Sequence, residues 1–191
     1  MKGGNNVFLV AIVFQSSFAY VNIIALSEKG GNCMRKIKLY MDTSIVSHLF
    51  ADDTPDKMAD TIRLWRELAI DKYEIYISDI VTNEIQQCPE PKRSQMLEKM
   101  RQIKLNLLHE TNEVKELASE YIKGGVLKEK SYDDCLHIAY SVIHHCDAIV
   151  SWNFKHLVNF KTIDKVRIVN AINRYKEISI IFPTMLVEEE D

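Results

Sequence analysis

From Lys36 to Phe182 the chain alternates short apolar runs with amphipathic stretches, and this alternation limits its folds more than any other feature. Lys36–Met41 (KIKLYM), Tyr73–Ile77 (YEIYI), Ile103–Leu108 (IKLNLL), Asp147–Trp152 (DAIVSW) and Ile178–Phe182 (ISIIF) read as strands. Pro55–Ile70 has helical spacing, with Met58, Ile62, Trp65, Leu68 and Ala69 along one face. Asp79–Gln87 reads as a short helix stopped by Cys88-Pro89 and Pro91. Further helices are expected over Ser94–Met100, Thr111–Lys123, Ser131 to about His145, and Thr162–Tyr175. Gly124-Gly125 ends the Thr111–Lys123 helix in the way helix C-termini prefer. Strands joined through helices imply a largely parallel sheet with both faces covered. There is no internal repeat and no low-complexity linker, so one α/β domain is expected over 34–185, followed by an acidic tail at 186–191.

A chain of 191 residues can bury a core without disulfide or metal staples. With 47% apolar and 27% charged residues it is neither disordered nor collagen-like. The net charge of −3 argues against bulk attraction to nucleic acid but leaves room for a local basic rim. From Met34 onward 22 basic and 26 acidic residues leave a net of −4, all of it supplied by the run Glu188-Glu189-Glu190-Asp191, which reads as a solvated tail. Cys33, Cys88, Cys135 and Cys146 form no CxxC pair, so reduced thiols and a cytoplasmic location are expected. Cys88, Cys135 and Cys146 lie on apolar stripes and read as core.

Residues 1–33 stand apart. Val7–Leu26 is uncharged and just long enough to span a bilayer. One reading is a signal peptide, with Lys2, the run Val7–Phe14 and a cut after Ser17-Phe18-Ala19. A second is a membrane anchor, weakened by Gln15, Ser16, Ser17 and Asn22. The favoured reading is that translation starts at Met34, because Gly30-Gly31 codons upstream of it can encode a purine-rich ribosome-binding sequence. A membrane role is expected only if this segment belongs to the working protein.

All six glycines fall in pairs, at 3–4, 30–31 and 124–125, and none lies between a strand and a helix. A dinucleotide fingerprint and a P-loop are therefore absent, as is a GxSxG elbow. What remains is a set of carboxylates. In open parallel sheets sites lie at the carboxyl ends of strands, and Asp42 directly follows the first strand. A helix N-cap is its structural alternative. Glu84 falls inside the apolar arc formed by Ile80, Val81, Ile85 and Cys88, where a carboxylate is costly without a partner. No Lys or Arg on that helix supplies one, so a cation from elsewhere or a metal is required. The third acid comes from Asp133-Asp134. Asp134 borders the stripe of Cys135, Ile138, Ala139, Val142, Ile143 and Cys146, whereas Asp133 points away. A capping box from Ser131 to Asp134 is the competing explanation. His137 is expected to face more outward, as a packing or hydrogen-bonding residue rather than a ligand. Asn153 follows the strand DAIVSW and can coordinate through its amide oxygen or orient a water, and Lys155 and His156 beside it can touch a phosphate. Three acids and an amide make an oxygen-donor site suited to Mg²⁺ or Mn²⁺. With no nucleotide loop, the natural substrate is a phosphodiester cut by metal-activated water.

The segments LYMDTSIVSHLF (39–50), SDIVTNEI (78–85), YDDCLHIA (132–139) and DAIVSWNFKHL (147–157) resemble the PIN-domain nuclease family. In order and spacing they are most similar to its prokaryotic branch, which includes the toxin ribonucleases of VapBC-type toxin–antitoxin pairs. The resemblance spans about Lys36 to Phe182 and implies a three-layer α/β/α domain around a mostly parallel sheet, with Mg²⁺- or Mn²⁺-dependent cleavage of RNA. It places Asp42, Glu84 and Asp134 as the catalytic, metal-holding acids, and Thr43 or Ser44 as the hydroxyl residue beside the first acid. Asn153 stands where many members carry a fourth Asp, a departure that bears on a second metal. Lys92, Arg93, Lys155 and His156 are the candidate RNA contacts, and the implied partners are RNA, a small antitoxin and a second copy of the chain. Two rivals remain. One is a PIN-like module that binds RNA or protein without cutting. The other is a phosphatase-like hydrolase, which would want Asp-x-Asp-x-Thr where this chain reads Asp42-Thr43-Ser44.

Overall fold

A computed structural model describes residues 35–187. The reading of residues 1–33 and of the tail from Glu188 onward lies outside the described residues. Five strands form one sheet: β1 (Lys38–Met41), β2 (Glu74–Ser78), β3 (Leu105–Leu108), β4 (Ala148–Val150) and β5 (Ser179–Ile181). The order is β3-β2-β1-β4-β5 and every neighbouring pair is parallel, with Leu39 opposite both Ile75 and Ala148.

Seven helices connect the strands: α1 (Thr43–His48), α2 (Pro55–Ala69), α3 (Asp79–Gln87), α4 (Lys92–Met100), α5 (Asn112–Lys123), α6 (Tyr132–Ile143) and α7 (Phe160–Ile172). From β1 the chain steps to β2 and β3 in one direction, then returns past β1 to β4 and β5. Crossovers in parallel sheets are right-handed, so the two directions place their helices on opposite faces. Accordingly α1 packs with α2, α3 and α4, and α5 packs with α6 and α7. The result is a three-layer α/β/α domain, as expected from the sequence. The step reverses between β1 and β4, and at such a point the loops leave in opposite directions and open a crevice at the carboxyl edge. Asp42 and Asn153 follow the two strands that flank it.

The central strands are apolar because both faces are covered: Leu39, Tyr40, Met41, Ala148, Ile149 and Val150 are all buried. Gly124 caps α5, and Gly125 takes the left-handed φ of 67° that only glycine adopts cheaply. Cys135 and Cys146 are buried and Cys88 is half-buried, all as free thiols. Among the described residues no helix is long and apolar enough to cross a membrane.

Two local features differ from the sequence reading. Helix α1 was not expected, because six residues make fewer than two turns and show no periodicity. Helix α6 has no outward side along most of its length, since every residue from Cys135 to Val142 is buried. It packs against α5, α3 and β4 together, so His137 is buried instead of facing outward as its position off the apolar stripe suggests.

Candidate active site

Asp42 leaves β1 and becomes the N-cap of α1, its Oδ1 accepting from the Ser44 N–H. The capping alternative is therefore realised in Asp42 itself. Its Oδ2 accepts from the Oγ of Ser151, which is fully buried and in turn accepts from the Asn153 N–H at 2.9 Å. Asp42 is only 4% exposed, and a buried carboxylate is retained only where hydrogen bonds compensate its desolvation. Ser44 Oγ accepts from the Trp152 N–H at 2.8 Å, which ties α1 to the end of β4.

Glu84 comes from the middle of α3, where Val81 and Ile85 are buried around it. Its Oε2 accepts from Thr43 Oγ1 and lies 3.4 Å from His137 Nε2. The partner required by the sequence is thus a histidine from α6, which is a cation when protonated. Burial pushes the Glu84 carboxyl up, but His137 and Thr43 outweigh it and hold it below the ordinary value. Burial likewise pushes the His137 imidazole down, yet Glu84, Asp42 and Asp134 together raise it. The other ring nitrogen, Nδ1, is 2.8 Å from Tyr40 OH, which is 2.6 Å from Ser78 Oγ. All three groups are buried. A closed polar chain therefore runs from Ser78 through Tyr40 and His137 to Glu84.

Asp134 stands in the first turn of α6, where helix N–H groups favour an anion. It is half-buried while Asp133 is exposed. Ser131 occupies the N-cap without a side-chain bond to a helix N–H, so the reciprocal capping box is not formed, although the Ser131 side chain bonds the Asp134 carboxyl and holds it down. Asp134 Oδ1 accepts from Asn153 Nδ2 at 2.8 Å. Burial raises its carboxyl above the ordinary value, opposed by His156 and His137 and reinforced by Asp42. Asn153 is engaged at both amide atoms, because its Oδ1 accepts from the His156 N–H at 3.0 Å.

Of the expected basic contacts, His156 is brought near Asp134 and Lys155 is exposed beside it. Lys92 lies close enough for its charge to act on His48. Arg93 is spent on Glu90 and the Gln86 carbonyl. Ser151, Tyr40 and Ser78 were missed by sequence reasoning. A serine at the end of a buried strand was the one available signal, and it is a weak one.

Among the described residues no three His, Cys, Asp or Glu side chains are drawn together tightly enough to form a ready-made metal cage. The donor chemistry nonetheless fits a hard divalent ion. Asp42, Glu84 and Asp134 all lie within electrostatic reach of His137, and Asp134 and Asp42 repel each other.

The fold and site together define a parallel α/β domain with an acidic rim at the strand-order reversal. Its fold is similar to that in the crystal structure of VapBC2 from Rickettsia felis bound to a promoter DNA fragment, at 16% identity and TM-score 0.46, covering 76% of this chain and 98% of that one. It is also similar to VapC20 from Mycobacterium tuberculosis, described as a sarcin–ricin-loop-cleaving toxin, at 18% identity and TM-score 0.45, covering 58% and 86%. No protein-family model and no curated protein matches the chain.

Proposed function

We propose that this chain is a divalent-metal-dependent endoribonuclease of the PIN type that hydrolyses RNA phosphodiester bonds in the cytoplasm, in the manner of a toxin of a toxin–antitoxin pair. The observation that carries the reading is electrostatic. Asp42, Glu84 and Asp134 come from three separate elements, and all three charges act on the buried imidazole of His137. One imidazole offsets only part of three carboxylate charges, and a bound cation would offset the rest.

Asp42, Glu84 and Asp134 would hold Mg²⁺ or Mn²⁺, with Asn153 as a further oxygen donor or as the group that aims Asp134. The ion would supply water activation and charge neutralisation at the phosphate. The chain's own residues do the rest. Ser151 and the Ser44 N–H fix both oxygens of Asp42, so this carboxylate is pre-set rather than ordered at each turnover. Thr43 and His137 hold Glu84 ionised, which keeps it available as a donor or as a proton acceptor for water. Lys155 and His156, which closely follow Asn153, would meet the phosphate backbone. A small antitoxin and a second copy of the chain are the protein partners this reading implies.

Binding without cleavage is the second reading. It is favoured by Asn153, which occupies a rim position with a neutral amide already bonded to Asp134. The deciding experiment is incubation of a mixed RNA pool with the protein in Mn²⁺ or Mg²⁺, in EDTA, and beside Asp42→Asn. Metal-dependent loss of RNA that the variant lacks is expected. Tight RNA binding with intact RNA in every lane would favour the binding module.

A further inference from the structure

Next to the acidic crevice lies a patch that none of these roles uses. Phe154 follows Asn153 by one residue and is 42% exposed. The loop carrying it is pinned: the Phe154 N–H donates to the Trp152 carbonyl, and the Leu157 and Val158 N–H groups donate to the Asn153 carbonyl, each at 2.9 Å. An exposed aromatic ring on a rigidly held loop is thus displayed, not frayed. Beneath it lie Trp152 and Phe182, with ring centroids 5.9 and 5.7 Å away. Trp152 is itself locked, its Nε1 donating to Thr61 Oγ1 at 2.8 Å.

Lys57 comes to this cluster from α2, its ammonium 5.2 Å from the Phe154 ring centre and 5.6 Å from that of Trp152. It forms no ion pair among the described residues. The His48 ring flanks Trp152 at 5.9 Å. The patch is next to the acids: Trp152 is bonded to Ser44, which caps onto Asp42, and the charge of Asp42 reaches His48.

We propose that Phe154, backed by Trp152 and accompanied by Lys57, is a stacking platform for one unpaired base of a single-stranded RNA, with Lys57 meeting a neighbouring phosphate. An aromatic face offers every base a π-surface, and a cation beside it matches the backbone. A duplex keeps its bases stacked on each other and has none to offer. The inference rests on the nuclease reading for its substrate, and it names the form of RNA that the crevice accepts.

The test is the affinity of the full chain for a fluorescently labelled short oligouridylate in EDTA, where nothing is cut, with a blunt RNA duplex for comparison. Phe154→Ala should weaken single-strand binding by about tenfold or more, Phe154→Trp should retain it, and Lys57→Gln should weaken it with a shallower salt dependence. Binding of the oligouridylate should also quench Trp152 fluorescence, read in a Trp65→Phe background. Unchanged affinity in Phe154→Ala, or no preference for the single strand in the wild type, would overturn the platform. So would a dimer that Phe154→Ala dissolves while RNA affinity stays the same, since the patch would then be a protein interface. If the wild type binds through Phe154 but never cleaves, the nuclease reading falls and the platform stands. If it cleaves while Phe154→Ala matches it in both affinity and KM, only the platform falls.

Discussion

Ser151→Ala isolates the support beneath Asp42. Ser151 is fully buried, and its hydroxyl donates to the Asp42 carboxylate and accepts from the Asn153 N–H, with a longer contact of 3.5 Å to Ser44 Oγ. A hydrogen bond to a charged group is worth about 1.5–3 kcal/mol and a neutral one about 0.5–1.5 kcal/mol. No water can easily reach a position this enclosed, so both partners lose their bonds outright. The expected loss is roughly 2–4 kcal/mol, which for a domain of this size lowers Tm by about 2–4 °C per kcal/mol. Urea unfolding of the metal-free protein at neutral pH reads it directly, as a shifted midpoint with an unchanged slope. Ser119→Ala is the control, because Ser119 bonds only the exposed Lys115 carbonyl and should change stability by less than about 0.5 kcal/mol. If Ser151→Ala costs no more than Ser119→Ala, the hydroxyl does not hold Asp42, and the pre-set carboxylate of the proposed mechanism is wrong.

Other consequences follow from single contacts. Gly124→Ala places a Cβ 2.6 Å from Val169 Cγ2 where α5 meets α7, so thermal unfolding should show a loss of about 1–3 kcal/mol from overpacking. Asp134→Asn should raise the melting temperature of the metal-free protein at pH 7 while abolishing cleavage. Its carboxyl is held above the ordinary value by burial and by Asp42, so the ionised form costs stability, whereas an amide keeps an oxygen for Asn153. The Glu84–His137 pair gives a pH window. Glu84 contributes above its ordinary 4.5 and loses that contribution as pH falls through its lowered folded value. His137 contributes below its ordinary 6.5 and loses it as pH rises through its raised folded value. Stability from the pair is therefore complete between about 4.5 and 6.5 and declines on the alkaline side, and His137→Gln should remove that decline. Tyr121→Phe strands the buried Asn170 Oδ1, which now accepts from Tyr121 OH at 2.6 Å, so chemical denaturation should register a loss of about 1–3 kcal/mol.

The sheet was legible in the sequence because its strands are short, apolar and separated by helical periods that a single window captures. Their order was not, since no local pattern says that the chain returns past β1 after β3. Among the site residues, Asp42 and Glu84 announce themselves by charge in an apolar setting. Ser151 carries no such signal, and its importance comes entirely from a partner more than a hundred positions away. His137 shows the opposite limit. Its helix is enclosed by α5, α3 and β4, so a side chain off the apparent stripe is buried all the same, and its charge partner sits on another element. The meeting of Lys57 with Trp152 and Phe154 is of the same kind, a juxtaposition made by the fold.

Asp42, Glu84 and Asp134 are proposed to act as one cation site, and calorimetric titration of the protein with Mn²⁺ tests this most directly. Saturable binding in the wild type, lost or greatly weakened in each of Asp42→Asn, Glu84→Gln and Asp134→Asn while all three remain folded, is the predicted result. A folded wild-type protein that takes up no Mn²⁺, or binding that survives all three substitutions unchanged, would contradict it.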